Sequence, residues 1–210
     1  MKKLSGTIFD GDSRPEGRGT GTVPRKQALV VIDVQESFRH RPYWQGDELP
    51  EFLKNVQALV DHAAAKRILI AQVFHQDLNA DASNPFSNDS GFVHPMKELS
   101  LRADAVFHKH VHSAMFGTTA DGVTLEDWLR HQGVGELLVT GIRTEQCCET
   151  TTRHASDLGF KVRYVTDATL TFPMQTRSGR KFTPAEIRER TELVLDGRFA
   201  SIVSTENAFA

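Results

Sequence analysis

Short apolar runs rich in valine, isoleucine and leucine recur along the chain and alternate with stretches of helical periodicity. This alternation constrains the fold more than any other feature of the sequence. The first run is continuously apolar, which is typical of a strand buried on both faces of a parallel sheet. The predicted strands are ALVVID (28–33), RILIAQVF (67–74), ADAVFHK (103–109), GELLVTG (135–141), FKVRYVTD (160–167) and ASIVS (200–204).

Helical signals separate these runs. Apolar residues recur at helical spacing in 52–63, and LEDWLRHQG places Leu125, Trp128 and Leu129 on one face before Gly133 as a C-terminal cap. TEQCCETTTRHASDLG (144–159) predicts a third helix. A fourth begins at TPAEI, with Thr183 as N-cap, Pro184 in the first turn and Glu186 closing a capping box.

Strands that alternate with helices predict an α/β fold, because parallel neighbours need crossover connections and these are usually helical. We expect a three-layer, doubly wound, Rossmann-like sheet of about six mostly parallel strands with helices on both faces. One domain should span 28–210, since 210 residues suffice for a single core. Residues 1–27 lack periodicity and are expected to form an N-terminal arm or flexible tail.

Charge and composition narrow the classes of partner. Lys and Arg total 25 against 27 Asp and Glu, which gives a net charge of −2 without a clustered basic excess. Nucleic acid and membrane are therefore not expected as partners. The N-terminus lacks the apolar stretch of a secretory signal, and no apolar run reaches membrane-spanning length. The chain has two cysteines and not the larger set that a disulfide framework of a secreted protein needs. A cytoplasmic location is the default expectation.

Three polar residues lie where strands end, which is where ligands bind in sheets of this kind. Asp33 ends the first strand, Lys109 ends the third, and Cys147 lies in the first turn of the helix that follows GELLVTG. Each has an ordinary alternative: a turn cap, a solvated charge and a filler of a small hole. Together they form a chemical set, because a helix N-terminus and a cation lower the pKa of a thiol and a carboxylate can accept its proton.

The two adjacent cysteines are expected to differ in role. A disulfide between neighbours is disfavoured by geometry, and successive side chains on a helix diverge too far for a shared metal. If Thr144 caps the helix, Cys147 occupies the third helical position, among free amides that could hold an oxyanion. Cys148 instead shares a face with the small residues Thr152 and Ala155, which suits packing on a sheet.

The run HKHVH raises a metal hypothesis. His108, His110 and His112 would share one face if the strand continued, although strand spacing keeps their side chains far apart for a single metal. Surface or pocket histidines are the favoured interpretation, so no metal and no cofactor is predicted. His154 lies two helical turns from Cys147, beyond reach as its base, which leaves Asp33 as the candidate.

The sequence resembles the isochorismatase-like cysteine hydrolases, a family that includes nicotinamidase and N-carbamoylsarcosine amidase. The resemblance rests on LVVIDVQESF, FHKHVHSAMFGT and VTGIRTEQCCETT, in this order, and covers the chain from Ala28 to about Ser204. It implies a catalytic triad of Asp33, Lys109 and Cys147. It also implies a cis peptide between Ile142 and Arg143, and an oxyanion hole made by the backbone N–H groups of Arg143 and Cys147.

The same resemblance sets expectations for substrate and assembly. The Asp-x-His metal-binding motif of nicotinamidases does not occur in this sequence. Cys147 favours a small amide or carbamoyl substrate, hydrolysed at a C–N bond through a thioester. The alternatives are a vinyl-ether hydrolase without covalent catalysis and a non-catalytic binding module. Family members often form dimers or tetramers, so a homodimer or homotetramer is expected. The residues expected to line the substrate pocket are Phe38, Trp44, His75, His112, Phe116 and Arg143.

Overall fold

Six parallel strands form one twisted sheet in the computed structural model, which describes residues 25–210. The sheet order is β3-β2-β1-β4-β5-β8, and every neighbouring pair is parallel. β6 and β7 form a separate antiparallel pair. The strands are β1 (Lys26–Ile32), β2 (Leu69–His75), β3 (Ala105–Lys109), β4 (Val134–Ile142), β5 (Lys161–Leu170), β6 (Met174–Gln175), β7 (Lys181–Phe182) and β8 (Ser201–Val203).

The predicted fold class is confirmed, with small shifts at the strand ends. β1 begins at Lys26, two residues before the predicted start, and β5 continues three residues beyond the predicted end. The predicted N-terminal arm (1–27) lies outside the described residues except for positions 25–27. The β6–β7 hairpin is an addition to the predicted elements. No helix within residues 25–210 is long and apolar enough to cross a membrane.

Helices cover both faces of the sheet. They are α1 (Leu49–Lys66), α2 (Leu125–His131), α3 (Glu149–Asp157) and α4 (Pro184–Leu195). Side chains alternate along β1, so Leu29 and Val31 pack with α1, whereas Val30 and Ile32 belong to the core on the opposite face. All four are fully buried. Full burial of a side chain of this type contributes about 1.5–3 kcal/mol, so this strand anchors both cores.

The predicted N-cap of α4 is present, whereas the C-cap of α2 is Gln132 and the predicted Gly133 follows it in the left-handed region at φ 70°. In α4 the Thr183 hydroxyl accepts from the Glu186 N–H, and the Glu186 carboxylate accepts from the Thr183 N–H. The helix predicted at 144–159 differs from the structure, because it opens with a π-helical turn over Thr144–Cys148 before α3 begins. The Arg143 carbonyl accepts from the N–H of both Gln146 and Cys148, each at 3.2 Å, and this widens the turn.

A topological switch point lies between β1 and β4. The chain runs from β1 outward through β2 to β3 and then returns to β4 on the other side of β1. Connections from these two strands leave in opposite directions, which opens a crevice at their carboxyl ends. Gly141 lies here with φ 134°, and a Cβ at this position would lie 1.9 Å from the Ile32 carbonyl oxygen. Glycine thus permits the close approach of β4 to β1 at the edge of the crevice.

Candidate active site

Asp33, Lys109 and Cys147 come together beyond the carboxyl ends of three elements. Asp33 follows β1 in the left-handed region at φ 54°, which Asp adopts more readily than most residues. Lys109 is the last residue of β3 and Cys147 lies in the π turn after β4. Lys109 Nζ lies 2.8 Å from Asp33 Oδ2 and 3.3 Å from Cys147 Sγ. Asp33 and Lys109 are 0% exposed and Cys147 is 7% exposed, so the cluster is shielded from bulk water.

Lys109 is the centre of this cluster. Its third neighbour is His75, whose Nδ1 lies 3.1 Å from Nζ. Burial alone would lower the pKa of Lys109, but the charges of Asp33 and Cys147 and their hydrogen bonds outweigh it, so the pKa is raised above the ordinary value. The ammonium therefore stays charged at neutral pH. It compensates the buried carboxylate and can compensate a thiolate.

The thiol of Cys147 is protonated at neutral pH. Burial, followed by the charge of Asp33, raises its pKa to about 12, against the opposing effect of Lys109. The expectation that a helix terminus and a cation bring this pKa toward neutrality is therefore wrong, because desolvation and the neighbouring carboxylate dominate. A base is needed to form the nucleophile. Asp33 Oδ1 has no hydrogen-bond partner among the described residues, and the Asp33 carboxylate is close enough to Cys147 to raise its pKa, so Asp33 is the candidate base.

The turn that carries Cys147 begins at a cis peptide between Ile142 and Arg143, as the resemblance implied. The N–H of Arg143 donates to no backbone carbonyl within residues 25–210. The predicted N-cap role of Thr144 is wrong, because the Thr144 hydroxyl donates to Thr169 Oγ1 at 2.8 Å. Cys147 is consequently the fourth residue of the π turn and not the third of an α-helix.

Cys148 lies away from this chemistry. It is 0% exposed and belongs to the core that contains Ala155 and Tyr164. Burial raises the pKa of its thiol well above the ordinary value, so it stays neutral. Neither cysteine forms a disulfide. The predicted packing position of Cys148 is thus confirmed.

His75 is held by residues whose roles the sequence did not reveal. The Gln35 side chain accepts from the His75 N–H at 2.8 Å and donates to the His75 carbonyl at 3.1 Å. On the ring, Nε2 lies 3.1 Å from Asp77 Oδ1. Burial and the charge of Lys109 lower the pKa of His75, so the ring is neutral at neutral pH. The sequence signals were the Gln35 of the DVQ motif and an acidic residue two positions after a strand-end histidine.

An aromatic wall flanks the crevice and includes two of the predicted pocket residues. Phe38 packs edge-on against Phe86 with ring centroids 5.0 Å apart, and Trp44 lies 5.3 Å from Phe172. Arg143 joins this wall through its guanidinium, which stacks 5.5 Å from the Phe172 ring. Arg143 Nη2 also lies 2.8 Å from Glu145 Oε1, so the charge of this side chain is paired within the turn.

The remaining predicted residues lie at the surface. His112 is exposed. The Phe116 ring contacts the ring of His154 but is 62% exposed, so neither His112 nor Phe116 belongs to the buried cluster. β3 ends at Lys109, so the alternation needed for three aligned histidines does not continue through His110. Within residues 25–210, no group of three or more His, Cys, Asp or Glu is arranged to hold a metal ion.

The arrangement has the parts needed for covalent hydrolysis. It holds a thiol, a carboxylate, and a cation that contacts both. Within residues 25–210, one oxygen of the carboxylate has no hydrogen-bond partner and the N–H of Arg143 at the head of the turn donates to no backbone carbonyl. These groups could carry nucleophilic attack, proton transfer and stabilisation of an oxyanion.

Comparisons with known proteins show similarity in sequence and in fold. The model of the isochorismatase domain matches residues 27–185. The uncharacterised isochorismatase family protein YrdC of Bacillus subtilis is 26% identical over 184 residues, 86% of this chain and 93% of the relative. Nicotinamidase 3 of Arabidopsis thaliana is 29% identical over 157 residues, 69% of this chain and 73% of the relative. A solved structure from the isochorismatase family of Chromobacterium violaceum superposes with a TM-score of 0.76 at 25% identity, covering 87% of this chain and 91% of that chain.

Proposed function

The chain belongs to the isochorismatase family, and from this premise we propose that it is a cysteine hydrolase that cleaves a C–N bond of a small amide or carbamoyl substrate. One observation carries the proposal: Lys109 Nζ contacts both Asp33 Oδ2 and Cys147 Sγ inside a buried cluster at the switch point of the sheet. A buried carboxylate, ammonium and thiol in contact are costly to maintain for structure alone.

Acylation begins when Asp33 takes the proton of the Cys147 thiol. The sulfur attacks the substrate carbonyl, and the N–H groups of Arg143 and Cys147 hold the oxygen that becomes negative. The C–N bond then breaks, and Asp33 returns the proton to the leaving amine. The product of this half-reaction is a thioester on Cys147.

In the second half-reaction water replaces the thiol as the proton donor to Asp33, and the thioester is hydrolysed. Asp33 accepts a proton from water, the resulting hydroxide attacks the thioester carbonyl, and the C–S bond breaks. The acid product leaves, and the thiolate regains its proton from Asp33. Throughout, Lys109 compensates whichever neighbour carries the negative charge, because its pKa is raised and it remains an ammonium.

The chemistry of the nucleophile favours an amide over a vinyl ether. Hydrolysis of a vinyl ether does not need a covalent intermediate, and a cysteine has no assigned step in it. Here Cys147 Sγ lies 3.3 Å from Lys109 Nζ, in the turn that Arg143 precedes, and the N–H of Arg143 donates to no backbone carbonyl within residues 25–210. Nicotinamidase 3, a relative by sequence, is named for an amide substrate, and this supports the same reaction class.

A substrate screen with detection of an acyl adduct tests this function. The protein is incubated with small amides, carbamoyl compounds and isochorismate, and the products and the intact mass of the protein are measured. We expect hydrolysis of an amide or carbamoyl compound and an acyl adduct on Cys147. Cys147→Ala should abolish both, whereas Cys148→Ala, a matched control one residue away, should retain them.

Two outcomes would replace the proposal. Undiminished hydrolysis by Cys147→Ala would point to a vinyl-ether hydrolase that uses Asp33 and Lys109 alone. No hydrolysis across the panel, together with sluggish alkylation of Cys147, would point to a binding module. The homodimer or homotetramer expected from the resemblance stays a prediction, which light scattering would test.

A further inference from the structure

The ammonium of Lys109 determines which nitrogen of His75 carries the proton. An ammonium has three N–H donors and no acceptor. Its three close neighbours are Asp33 Oδ2 at 2.8 Å, Cys147 Sγ at 3.3 Å and His75 Nδ1 at 3.1 Å. Since Lys109 can only donate, His75 Nδ1 must be the bare, accepting nitrogen.

The other side of the ring completes this arrangement. A neutral imidazole with a bare Nδ1 carries its proton on Nε2, and this atom lies 3.1 Å from Asp77 Oδ1. Asp77 is itself held by Asn84 Nδ2 at 2.8 Å and lies 3.7 Å from Arg41 Nη2. The ring therefore accepts a hydrogen bond from Lys109 on one side and donates one to a fixed carboxylate on the other.

The backbone of His75 is fixed as well. The Gln35 amide pairs with both its N–H and its carbonyl, which ties the end of β2 to the segment that follows β1. Asp33 lies on that same segment, two residues before Gln35. The position of the imidazole is thus fixed relative to the carboxylate that shares Lys109 with it.

We propose that His75 is a positioning residue that holds the Lys109 ammonium between Asp33 and Cys147, and that it does so only as the neutral Nε2–H tautomer. The catalytic consequence rests on the function proposed above, whereas the effect on the thiol does not. Without this acceptor, one N–H of a fully buried ammonium would have no partner. Lys109 would then shift from the sulfur, and the thiolate would form less readily.

The charged groups around His75 give the arrangement a pH dependence. Lys109 from β3 and Asp33 from the end of β1 face it on one side, and Asp77, with Arg41 beyond, faces it on the other. A second proton on the ring, bound at Nδ1, would direct an N–H at the ammonium and break the hydrogen bond between Lys109 Nζ and His75 Nδ1. Burial and Lys109 lower the pKa of His75 below its ordinary value of 6.5, so this loss occurs on the acid side of that value.

The tautomer can be read directly by ¹⁵N NMR of histidine-labelled protein, with His75→Asn used to assign the signal. We expect a protonated Nε2 and an unprotonated Nδ1 at pH 7.5, and uptake of a proton below pH 6.5. A protonated Nδ1 at pH 7.5 would overturn the proposal. This measurement uses the unaltered protein, so it does not depend on how well a variant folds.

The effect on Cys147 is measured with 2,2′-dipyridyl disulfide, which reports thiolate formation without any substrate and reacts at acid pH. Peptide mass mapping confirms that the adduct is on Cys147. His75→Leu should react about tenfold more slowly than the wild type at pH 7.5, the factor that corresponds to one pKa unit. His75→Asn should stay within about threefold, because its amide oxygen can occupy the place of Nδ1 and accept from Lys109.

The pH profile separates positioning from a general structural role. The ratio of the wild-type rate to the His75→Asn rate should be constant above pH 6.5 and fall below it, because only the wild type loses an acceptor by protonation. A ratio that does not change with pH, or a His75→Leu protein as reactive as the wild type, would overturn the proposal. If the reactivity of Cys147 changes as expected but no amide is hydrolysed, the proposed function fails and the role of His75 stands. If amides are hydrolysed but the reactivity of Cys147 does not change, the role of His75 fails and the proposed function stands.

Discussion

Lys109→Met should destabilise the protein by about 3–5 kcal/mol, because it leaves the Asp33 carboxylate buried without its cation. Both side chains are 0% exposed, so water cannot replace the ammonium. Methionine has a flexible, linear side chain of similar length, which keeps the effect of an added cavity small. For a chain of 210 residues, this loss corresponds to a fall in Tm of roughly 6–20 °C, at about 2–4 °C per kcal/mol.

A double-variant cycle tests whether the loss comes from the broken ion pair. The double variant Asp33→Asn/Lys109→Met has no buried charge at either position, and its deficit should be smaller than the sum of the two single variants.

Urea unfolding followed by circular dichroism at pH 8 provides the measurement for the wild type, the two single variants and the double variant. Activity is uninformative for this question, since every variant should be inactive. A Lys109→Met protein as stable as the wild type at pH 8, or additive effects in the double variant, would refute the reasoning. Either result would mean that the pair is not a buried, mutually dependent ion pair in solution.

Three further predictions follow from the site. Cys147→Ala should abolish hydrolysis in the substrate screen, and Cys148→Ala should retain it while losing about 1 kcal/mol of stability in urea unfolding, because it removes a fully buried sulfur; the opposite pattern would exchange their roles. Gly141→Ala should fail to give soluble, folded protein, since its Cβ would lie 1.9 Å from the Ile32 carbonyl oxygen; a cooperative, wild-type melt by circular dichroism would contradict this. Stability should fall as the pH rises from 9 toward 12, because the folded-state pKa values of Cys147 and Lys109 are raised above their ordinary values, and the stability that a raised pKa contributes is lost as the pH rises from the unfolded-state pKa through the folded-state pKa. Thermal melts at pH 8 and pH 10.5 should show a smaller loss of stability in Cys147→Ala than in the wild type.

Much of the fold followed from local pattern. The run ALVVID predicts a strand buried on both faces, and β1 is the strand shared by both cores. The capping box of Thr183 and Glu186 is a signal within four residues, and it was correctly read as the start of α4. The β6–β7 hairpin was missed because two-residue strands leave no measurable alternation. The π turn at Thr144 was missed because π and α turns share the same composition.

The candidate site was predicted less completely. Asp33, Lys109 and Cys147 could be named, because each lies at or soon after the end of a strand and the carboxyl ends of parallel strands meet at one edge of the sheet. The pairing of Arg143 with Glu145, two residues later, depends on the shape of the π turn, which the sequence did not reveal. The exposure of Phe116 depends on how its segment packs against His154 of α3. The protonated state of the Cys147 thiol had the same origin, because it reflects the burial that surrounds the sulfur.

The sequence by itself determined the alternation of strands and helices, the end of the sheet at which chemistry must lie and the residue types available there. These depend on periodicity and on bonding between near neighbours. Tertiary structure alone decided that Lys109 meets His75, 34 positions earlier, and Cys147, 38 positions later. Burial energies and pKa values depend on the full three-dimensional surroundings of a group, so the division of protons among Asp33, His75 and Cys147 exists only once the sheet has assembled.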